Sequence, residues 1–275
     1  MPPVTDVQPD TLRVRLEQYL DLLPRANAKA EDIGPFTLFV SNGAWPYYAR
    51  PRLAHTGGFS STQVRAVWER QQRLRVPVSF EWVHEVSPGL AEAATAAGLV
   101  VERRPLLLLD QLAGVPAPSG VSVRFLAADE PDLTRAIAAV DLGFGVPGAE
   151  VGAAGPQQRD ERAAAMKPDR VAYFRDRIAN GLLHWASADD ASGPVGGGSY
   201  HPRADVAELT GIGTVPSVRR RGIGAAVTAA LAAHALAHGV KLAFLSAGSL
   251  DAARIYERVG FRHIGTACVA GPPSS

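Results

Sequence analysis

A short segment that combines arginine and glycine, Arg219 to Gly224, has residue types well suited to binding an anion. It lies between an apolar, strand-like run and a helix rich in alanine, leucine and valine. The start of a helix leaves backbone N–H groups unpaired, and the helix dipole attracts negative charge there. Because Gly222 and Gly224 have no Cβ, the backbone could approach a phosphate closely, and the preceding arginines add positive charge. The segment therefore predicts a pyrophosphate-binding loop.

Two other phosphate motifs do not fit this loop. A Walker loop ends in glycine, lysine and then serine or threonine, and no lysine follows the glycines here. The dinucleotide fingerprint needs a third glycine and a strand close before it. A nucleotide phosphotransferase is a disfavoured hypothesis, because no serine or threonine that could bind magnesium directly follows Gly224.

Composition limits the expected partners and location. The chain has 275 residues, with 28 basic and 27 acidic side chains and a formal net charge of +1. This balance provides no electrostatic attraction to nucleic acid or to an acidic membrane surface, so we expect neither partner. The single cysteine, Cys268, excludes an internal disulfide and a cysteine-based zinc site. Residues 1–6 lack the pattern of a signal peptide, and we expect a cytoplasmic protein.

The elements that must position the loop alternate between strands and helices. In the second half the patterns predict strands at 121–126, 181–187, 196–201, 207–215, 241–245 and from 261, with helices at 129–140, 225–239 and 250–258. In the first half they predict helices at 9–23, 60–75 and 88–97, with strands at 36–40, 47–53, 78–83 and 99–109. Residues 157–166 are compatible with a further helix. The chain is therefore predicted to have an α/β (α+β) fold, with a mixed central sheet flanked by helices.

A stretch rich in proline and glycine separates the two patterns. It predicts a linker at 113–120, with a first domain at 1–112 and a second domain at 121–275. Both domains would have an ordinary size.

The two halves share a similar order of elements. When Gly98 is aligned with Gly260, the preceding helices and strands superpose. This indicates that the first domain is an incomplete, degenerate copy of the second. The alternative is that two unrelated α/β domains share this helix, glycine and strand pattern by chance.

A second motif follows the loop at a distance that suits one helix and one strand. Arg219, Gly222 and Gly224 fit an Arg/Gln-x-x-Gly-x-Gly/Ala pattern, and Ala252-x-x-x-Tyr256-x-x-x-Gly-Phe261 follows it. Together the two motifs resemble the GCN5-related N-acetyltransferase (GNAT) superfamily over about residues 121–270. The resemblance implies a GNAT-like fold that binds acetyl-CoA or another acyl-CoA, arranged as a tandem of one degenerate and one complete copy.

The resemblance also implies a cofactor site and no metal. The loop would hold the pyrophosphate through backbone N–H groups, and the end of strand 207–215 would pair with the pantetheine arm. Strands 207–215 and 241–246 would part to admit the thioester. The implied acetyl-CoA residues are Ile212, Gly213, Thr214, Arg219, Arg220, Arg221, Gly222, Ile223, Gly224, Ala225 and Ser249. Ser249 departs from the asparagine that relatives often have at this position, which weakens that contact.

Two residues occupy positions that in the family take part in proton transfer. Tyr256 has the general-acid position and would protonate the leaving thiolate; the alternative is a packing tyrosine that only touches the cofactor. Glu208 lies eleven residues before Arg219, where histone-acetylating relatives carry their base. Its alternative is an exposed strand carboxylate.

Other candidates are less specific. His184, Trp185, Tyr200 and His201 lie on strands near the expected acceptor entrance, although strand aromatics are more often core residues. His234 and His238 are one helical turn apart, but no third metal ligand is evident, and we interpret them as ordinary helix residues.

The sequence thus supports three hypotheses of different classes. The first is an acetyltransferase that acts on the amine of a small molecule or peptide, by direct attack in a ternary complex. The second is a non-catalytic module that senses acyl-CoA or an amine, and the third is the phosphotransferase. We expect a monomer or a homodimer, and the sequence does not identify the acceptor.

Overall fold

The computed structural model describes residues 8–43, 46–53, 55–146 and 148–273. The helices are α1 (Pro9–Arg25), α2 (Ser61–Leu74), α3 (Leu90–Ala97), α4 (Leu133–Gly145), α5 (Pro156–Ala164), α6 (Pro168–Ala179), α7 (Ile223–Ala237) and α8 (Leu250–Val259). The strands are β1 (Ala28–Ile33), β2 (Phe36–Ser41), β3 (Ala49–Pro51), β4 (Phe80–Val83), β5 (Val100–Leu109), β6 (Ser122–Phe125), β7 (His184–Asp190), β8 (Gly193–Arg203), β9 (Val206–Thr214), β10 (Leu242–Ser246) and β11 (Phe261–Gly271). A 3-10 turn covers Pro216–Val218.

The described residues form two compact units. The C-terminal unit contains residues 107–262, and the N-terminal unit contains residues 8–106 together with 263–273. Strands β5 and β11 each have residues in both units. The expected domains, 1–112 and 121–275, stay a prediction. The bounds of the two units differ from them, because residues 107–112 belong to the C-terminal unit and residues 263–273 belong to the N-terminal unit.

In the C-terminal unit, antiparallel strands β6, β7, β8 and β9 lie side by side, and β10 is parallel to β9. Helix α7 is apolar around most of its circumference and is largely buried, as expected for a helix enclosed by other elements. Val227 and Leu231 of this helix pack in a core with Tyr200, Leu209 and Leu245.

In the N-terminal unit, β1, β2 and β3 are antiparallel, β3 is parallel to β4, and β4 is antiparallel to β11. Helix α2 begins with a capping box, in which Ser60 and Gln63 exchange hydrogen bonds between their side chains and backbone N–H groups. Phe36 and Phe80 pack edge to face in the core.

The predicted linker is packed against the C-terminal unit rather than extended. The Ala113 N–H donates to the carbonyl of Val259 at 2.9 Å, and Leu112 and Val115 pack against the core. A Cβ at Gly260 would come within 1.8 Å of the Gln111 carbonyl oxygen, so only glycine fits where this segment passes α8.

Two elements are missing from the sequence prediction. Strand β1 has the sequence AKAEDI and keeps several side chains in solvent, so it lacks an apolar signal. Helix α6 starts directly after Lys167 with a proline and carries five charged side chains in twelve residues. Helix α4 was predicted to begin at 129 and begins four residues later.

Candidate active site

Strands β9 and β10 are paired only at their beginnings. The three registered pairs are Val206 with Leu242, Ala207 with Ala243, and Glu208 with Phe244. Strand β9 continues for six residues beyond Glu208, to Thr214. The parting of these parallel strands, expected from the resemblance, is therefore present.

A β-bulge redirects the backbone of β9 after this point. Its register with β8 shifts between the pairs Gly197–Gly213 and Ser199–Thr210, so β9 has one extra residue there. Gly211 lies in this interval with a positive φ of +61°. A bulge bends its strand and leaves backbone groups outside the ladder, which suits a strand edge that receives a ligand.

Helix α4 lies directly behind the end of β9. A Cβ at Gly143 of α4 would come within 2.8 Å of the Thr214 carbonyl oxygen. A Cβ at Gly213 would come within 3.1 Å of the Val140 carbonyl oxygen. The glycines therefore permit close packing of α4 on β9, which fixes the backbone that was predicted to pair with pantetheine.

The loop before α7 has the backbone of an anion-binding nest. Arg220 and Gly222 both have left-handed conformations, with φ of +65° and +87°. Helix α7 begins at Ile223 without a side-chain cap and without an acidic residue in its first turn. Backbone N–H groups that converge in such a loop attract anions.

The guanidinium of Arg219 makes hydrogen bonds within the protein. It donates to the carbonyl oxygens of Gly143 at 2.7 Å, Val146 at 2.8 Å and Glu150 at 3.3 Å. These carbonyls lie at and just beyond the end of α4, where the last helical carbonyls need donors. The side chain therefore fastens the loop to α4.

The next two arginines extend into solvent. Arg220 is 3.8 Å from a Glu150 carboxylate oxygen, and Arg221 is 3.9 Å from a carboxylate oxygen of Asp190. Both guanidinium groups are well exposed, so these ion pairs are weak. Their positive charge remains available to a ligand at the loop.

Gly224 is not required by the protein's own packing. Its φ is not positive, and a Cβ added there would have the Thr214 hydroxyl, 4.0 Å away, as its nearest contact. A glycine near the start of a helix is unfavourable without another reason. The space above Gly224 is therefore open, and Thr214 lies at its edge.

Tyr256 and Ser249 both lie on or beside α8. The Tyr256 ring packs against the core of the C-terminal unit, 6.4 Å from the Phe261 ring, and burial raises the pKa of its hydroxyl to about 12. The phenol therefore stays protonated at neutral pH. The Ser249 hydroxyl accepts a hydrogen bond from the Ala252 N–H at 3.1 Å and caps α8.

Glu208 is half-buried at the point where β9 and β10 part. Its partner on β8 is His201. Directly paired residues lie on the same face of a sheet, as do alternate residues of one strand. Glu208 and Thr210 therefore share a face with Ser199 and His201. The sequence could not reveal this group, because the register of β8 on β9 was unknown.

Trp185 also lies on this face, because it is paired with Ser199, whereas the other histidine and aromatic candidates lie away from it. The Tyr200 hydroxyl is 2.8 Å from Nδ1 of His234, and the His234 and His238 rings stack at 3.9 Å. His184 stacks on Tyr200 at 4.6 Å, and Trp185 packs in a separate core cluster. Among the described residues, no group of three or more histidine, cysteine or carboxylate side chains is arranged to hold a metal ion.

The corresponding strands of the first half, β3 and β4, also pair only briefly, through Ala49 and Phe80. Here Glu17 of α1 forms an ion pair with the fully buried Arg50 of β3. The same carboxylate accepts a hydrogen bond from the Val83 N–H of β4 at 2.5 Å. The chain's own side chains therefore bridge these two strands.

The start of α2 differs from the start of α7 as well. The capping box of Ser60 and Gln63 supplies hydrogen-bond partners at the N-terminus of α2. Helix α7 has no such cap. The first half therefore lacks the open helix start that makes the loop before α7 suitable for an anion.

Comparison with known proteins agrees with this geometry. Residues 156–261 match the Acetyltransferase (GNAT) family. A GCN5-related N-acetyltransferase from Kribbella flavida is 24% identical, with a TM-score of 0.68 and 96% of each chain covered. None of the curated proteins matches significantly.

Two further solved structures are similar. A GCN5-related N-acetyltransferase from Sphaerobacter thermophilus is 17% identical, with a TM-score of 0.60, over 87% of this chain and 81% of that chain. A tandem GNAT protein from the clavulanic acid biosynthesis pathway is 16% identical, with a TM-score of 0.52 and 97% of each chain covered. Residues 156–261 are therefore a domain of the GNAT acetyltransferase family, and the chain as a whole has a GNAT fold whose N-terminal half is also GNAT-like.

Proposed function

We propose that the C-terminal unit transfers an acetyl group from acetyl-CoA to the amine of a small molecule or a peptide. The observation that carries this proposal is the opening between β9 and β10, followed by the uncapped, left-handed loop before α7. An opening between parallel strands can admit an extended thioester, and the loop can accept its phosphates.

A cytoplasmic location, no nucleic-acid or membrane partner, and a monomer or homodimer remain predictions from the sequence. No helix among the described residues is long and apolar enough to cross a membrane.

Acetyl-CoA would be held mainly by backbone groups. The pyrophosphate would bind at the N–H groups of the loop and the first turn of α7, with Arg220 and Arg221 adding positive charge. Arg219 contributes by fastening the loop to α4. The pantetheine arm would pair with the backbone of Ile212, Gly213 and Thr214. Ser249 and the first residues of α7 are the remaining members of the proposed acetyl-CoA site.

The reaction needs one proton removed and one supplied. The amine nitrogen attacks the thioester carbonyl, and Glu208 takes the proton that the nitrogen loses. The C–S bond then breaks, and Tyr256 gives its proton to the departing thiolate. The Tyr256 phenol carries its proton at neutral pH, as this step requires, although burial makes it a weaker acid than an exposed phenol.

The test is release of free CoA thiol from acetyl-CoA in the presence of a panel of amines. We expect at least one amine to increase thiol release well above the rate with water alone. Calorimetry would show binding of CoA and not of ATP, which separates this function from a phosphotransferase. Tight CoA binding without turnover of any amine would instead favour a sensing module.

A further inference from the structure

An open cleft lies along one side of α7, and the mechanism above makes no use of it. One wall is a row of alanines on α7, and the other wall is formed by residues 112–117 together with β6. The cleft has a volume of about 330 Å³, at the lower end of the range for small-ligand pockets, which is about 300–1,000 Å³. Its lining includes Leu112, Val115, Val123, Ala226, Ala230 and Ala233.

The cleft is open because its walls carry short side chains. Ala226, Ala230 and Ala233 lie at positions i, i+4 and i+7 of α7, so their methyl groups share one face of the helix. In the other wall, a Cβ added at Gly114 would meet no atom within 4 Å. Two apolar walls with accessible peptide groups suit a planar aromatic ring, because its faces are apolar and its edge can form hydrogen bonds.

The cleft is continuous with the loop that is proposed to bind the pyrophosphate. Ala226 lies in the first turn of α7, and its N–H donates to the carbonyl of Gly222 at 3.1 Å. In the other wall, Pro118 directly follows the lining residue Ala117, and its ring would be 3.9 Å from a Cβ at Gly222. The cleft therefore begins within one helical turn of the loop, and it extends along α7 by about 10 Å, to Ala233.

This position points to the nucleoside end of CoA as the occupant. In CoA the pyrophosphate joins the pantetheine arm to a 3′-phosphoadenosine. With the arm along β9 and the phosphates at the start of α7, the nucleoside is the part that extends past the loop. None of the described residues that line the cleft is charged, which suits the neutral base and not the 3′-phosphate.

We propose that the cleft between α7 and residues 112–117 binds the adenine ring of CoA. This rests on the proposed function, because it requires the pyrophosphate at the loop before α7. The segment that was expected to be a plain linker then forms one wall of the cofactor site.

The binding test fills the cleft and compares ligands with and without the nucleoside. Ala233→Trp and Ala230→Leu should each weaken CoA binding at least about tenfold by calorimetry, because the added side chain occupies the space of the ring. Both variants should bind S-acetyl-4′-phosphopantetheine, which lacks the nucleoside, with wild-type affinity. Dephospho-CoA should lose affinity by the same factor as CoA, because the base and not the 3′-phosphate is displaced.

Ala237→Trp is the matched control for these variants. Ala237 is exposed near the end of α7 and is not among the residues that line the cleft. This variant should bind CoA as tightly as the wild type.

A second readout reports the position of the base directly. In the complex of the full-length protein with CoA, adenine H2 and H8 should give nuclear Overhauser effects to ¹³C-labelled methyl groups of Ala226, Ala230 and Ala233. Effects to other side chains, with none to these three alanines, would overturn the proposal.

The binding outcomes separate the adenine site from the proposed function. Wild-type CoA affinity in Ala233→Trp and Ala230→Leu, together with weak binding in Gly224→Asp, would overturn the adenine site and leave the loop as the pyrophosphate site. Equal losses for CoA and for the truncated ligand would also overturn it, because the substitutions would then act on the loop. Wild-type CoA affinity in all three variants would remove the proposed pyrophosphate site and the adenine site with it.

Discussion

At the scale of single residues, the hydroxyl of Tyr256 has the clearest chemical role to test. Tyr256→Phe keeps the ring packed beside Phe261, so CoA affinity should change less than about twofold. Because the thiolate would leave without its proton donor, single-turnover acetyl transfer should slow about 10- to 1,000-fold. The measurement is rapid-quench kinetics with the amine identified in the panel.

The matched control for this experiment is Tyr173→Phe, which removes a phenol hydroxyl from α6. This variant should transfer acetyl at the wild-type rate. Equal single-turnover rates in Tyr256→Phe and the wild type would remove Tyr256 from the mechanism and leave water or the substrate as the proton donor.

His234 makes stability depend on pH. Burial lowers its pKa to about 4, while an ordinary histidine titrates near 6.5. Between these values the unfolded chain binds more protons than the folded protein, so stability falls as the pH decreases from about 6.5 to about 4. Glu81 has the opposite effect on the pH dependence of stability. Burial raises its pKa to about 7, so the contribution of this carboxyl to stability increases as the pH decreases.

The contribution of His234 is isolated by comparison with His234→Gln. Urea unfolding midpoints measured from pH 7 to pH 4 should decrease more steeply for the wild type than for this variant. The amide can still pair with the Tyr200 hydroxyl, which limits other losses. Parallel pH profiles for the two proteins would contradict this prediction.

The sequence could predict residues whose proposed role depends on local backbone geometry, and it could not show contacts with residues far along the chain. The glycines of the loop could be recognised, because a missing Cβ is a local property. The contacts of Arg219 with α4 join residues about 70 positions apart. The alignment of His201 with Glu208 needs the pairing register of β8 and β9, which no local pattern in either strand shows.

At the scale of elements, the start of α7 provides the sharpest binding test. Gly224→Asp would place a carboxylate in the open space beside Thr214, where the pyrophosphate is proposed to bind. We expect CoA affinity to fall at least about 100-fold by calorimetry, because like charges would lie close together. The thermal midpoint should stay near the wild-type value, because a Cβ fits there.

Gly58→Asp is the matched control for this variant. Gly58 precedes α2 in the first half, has no atom within 4 Å of an added Cβ and has no positive φ. The Gly58→Asp variant should bind CoA with wild-type affinity. Unchanged affinity in Gly224→Asp would show that the loop before α7 does not bind the pyrophosphate.

The contrast between the two helix starts predicts one CoA per chain. In the first half, Ser60 and Gln63 cap α2, and the Glu17–Arg50 pair bridges β3 and β4. Titration of the full-length protein with CoA should therefore saturate at a ratio of one, measured by calorimetry and by native mass spectrometry. A ratio of two would show that the first half also binds the cofactor.

Most elements could be predicted because their ends carry local signals. Gly98 and Gly260 end α3 and α8 with φ of +100° and +107°, a conformation that favours glycine. Strands β7 and β8 were predicted at 181–187 and 196–201, and the connection between them is shorter than those bounds imply. Strand β1 and helix α6 had no comparable apolar signal, and their tertiary contacts decide their structure.

At the scale of the whole molecule, the composition of the two units predicts that the halves of the chain do not fold separately. A fragment of residues 1–112 lacks β11, which pairs with β4. A fragment of residues 121–275 lacks Leu107 and Leu109, which lie in the core of the C-terminal unit. Each fragment alone should give no cooperative unfolding transition by circular dichroism.

Co-expression of the two fragments should restore a cooperative transition and CoA binding, because together they supply every strand. An intact chain cut only in the 113–120 segment by an engineered protease site is the control for the cleavage itself. A fragment of residues 121–275 that binds CoA alone with full affinity would contradict this prediction.

The sharing of β5 and β11 between the units also bears on how such a chain can change over generations. If the halves arose by duplication, the first copy could lose its ligand and acquire an internal ion pair without harm to the second. It could not then be deleted, because Leu107 and Leu109 complete the core of the copy that remains useful. Selection would thus retain the catalytically redundant first half because it supplies β5. The sequence of that half would drift except in the residues that support β5.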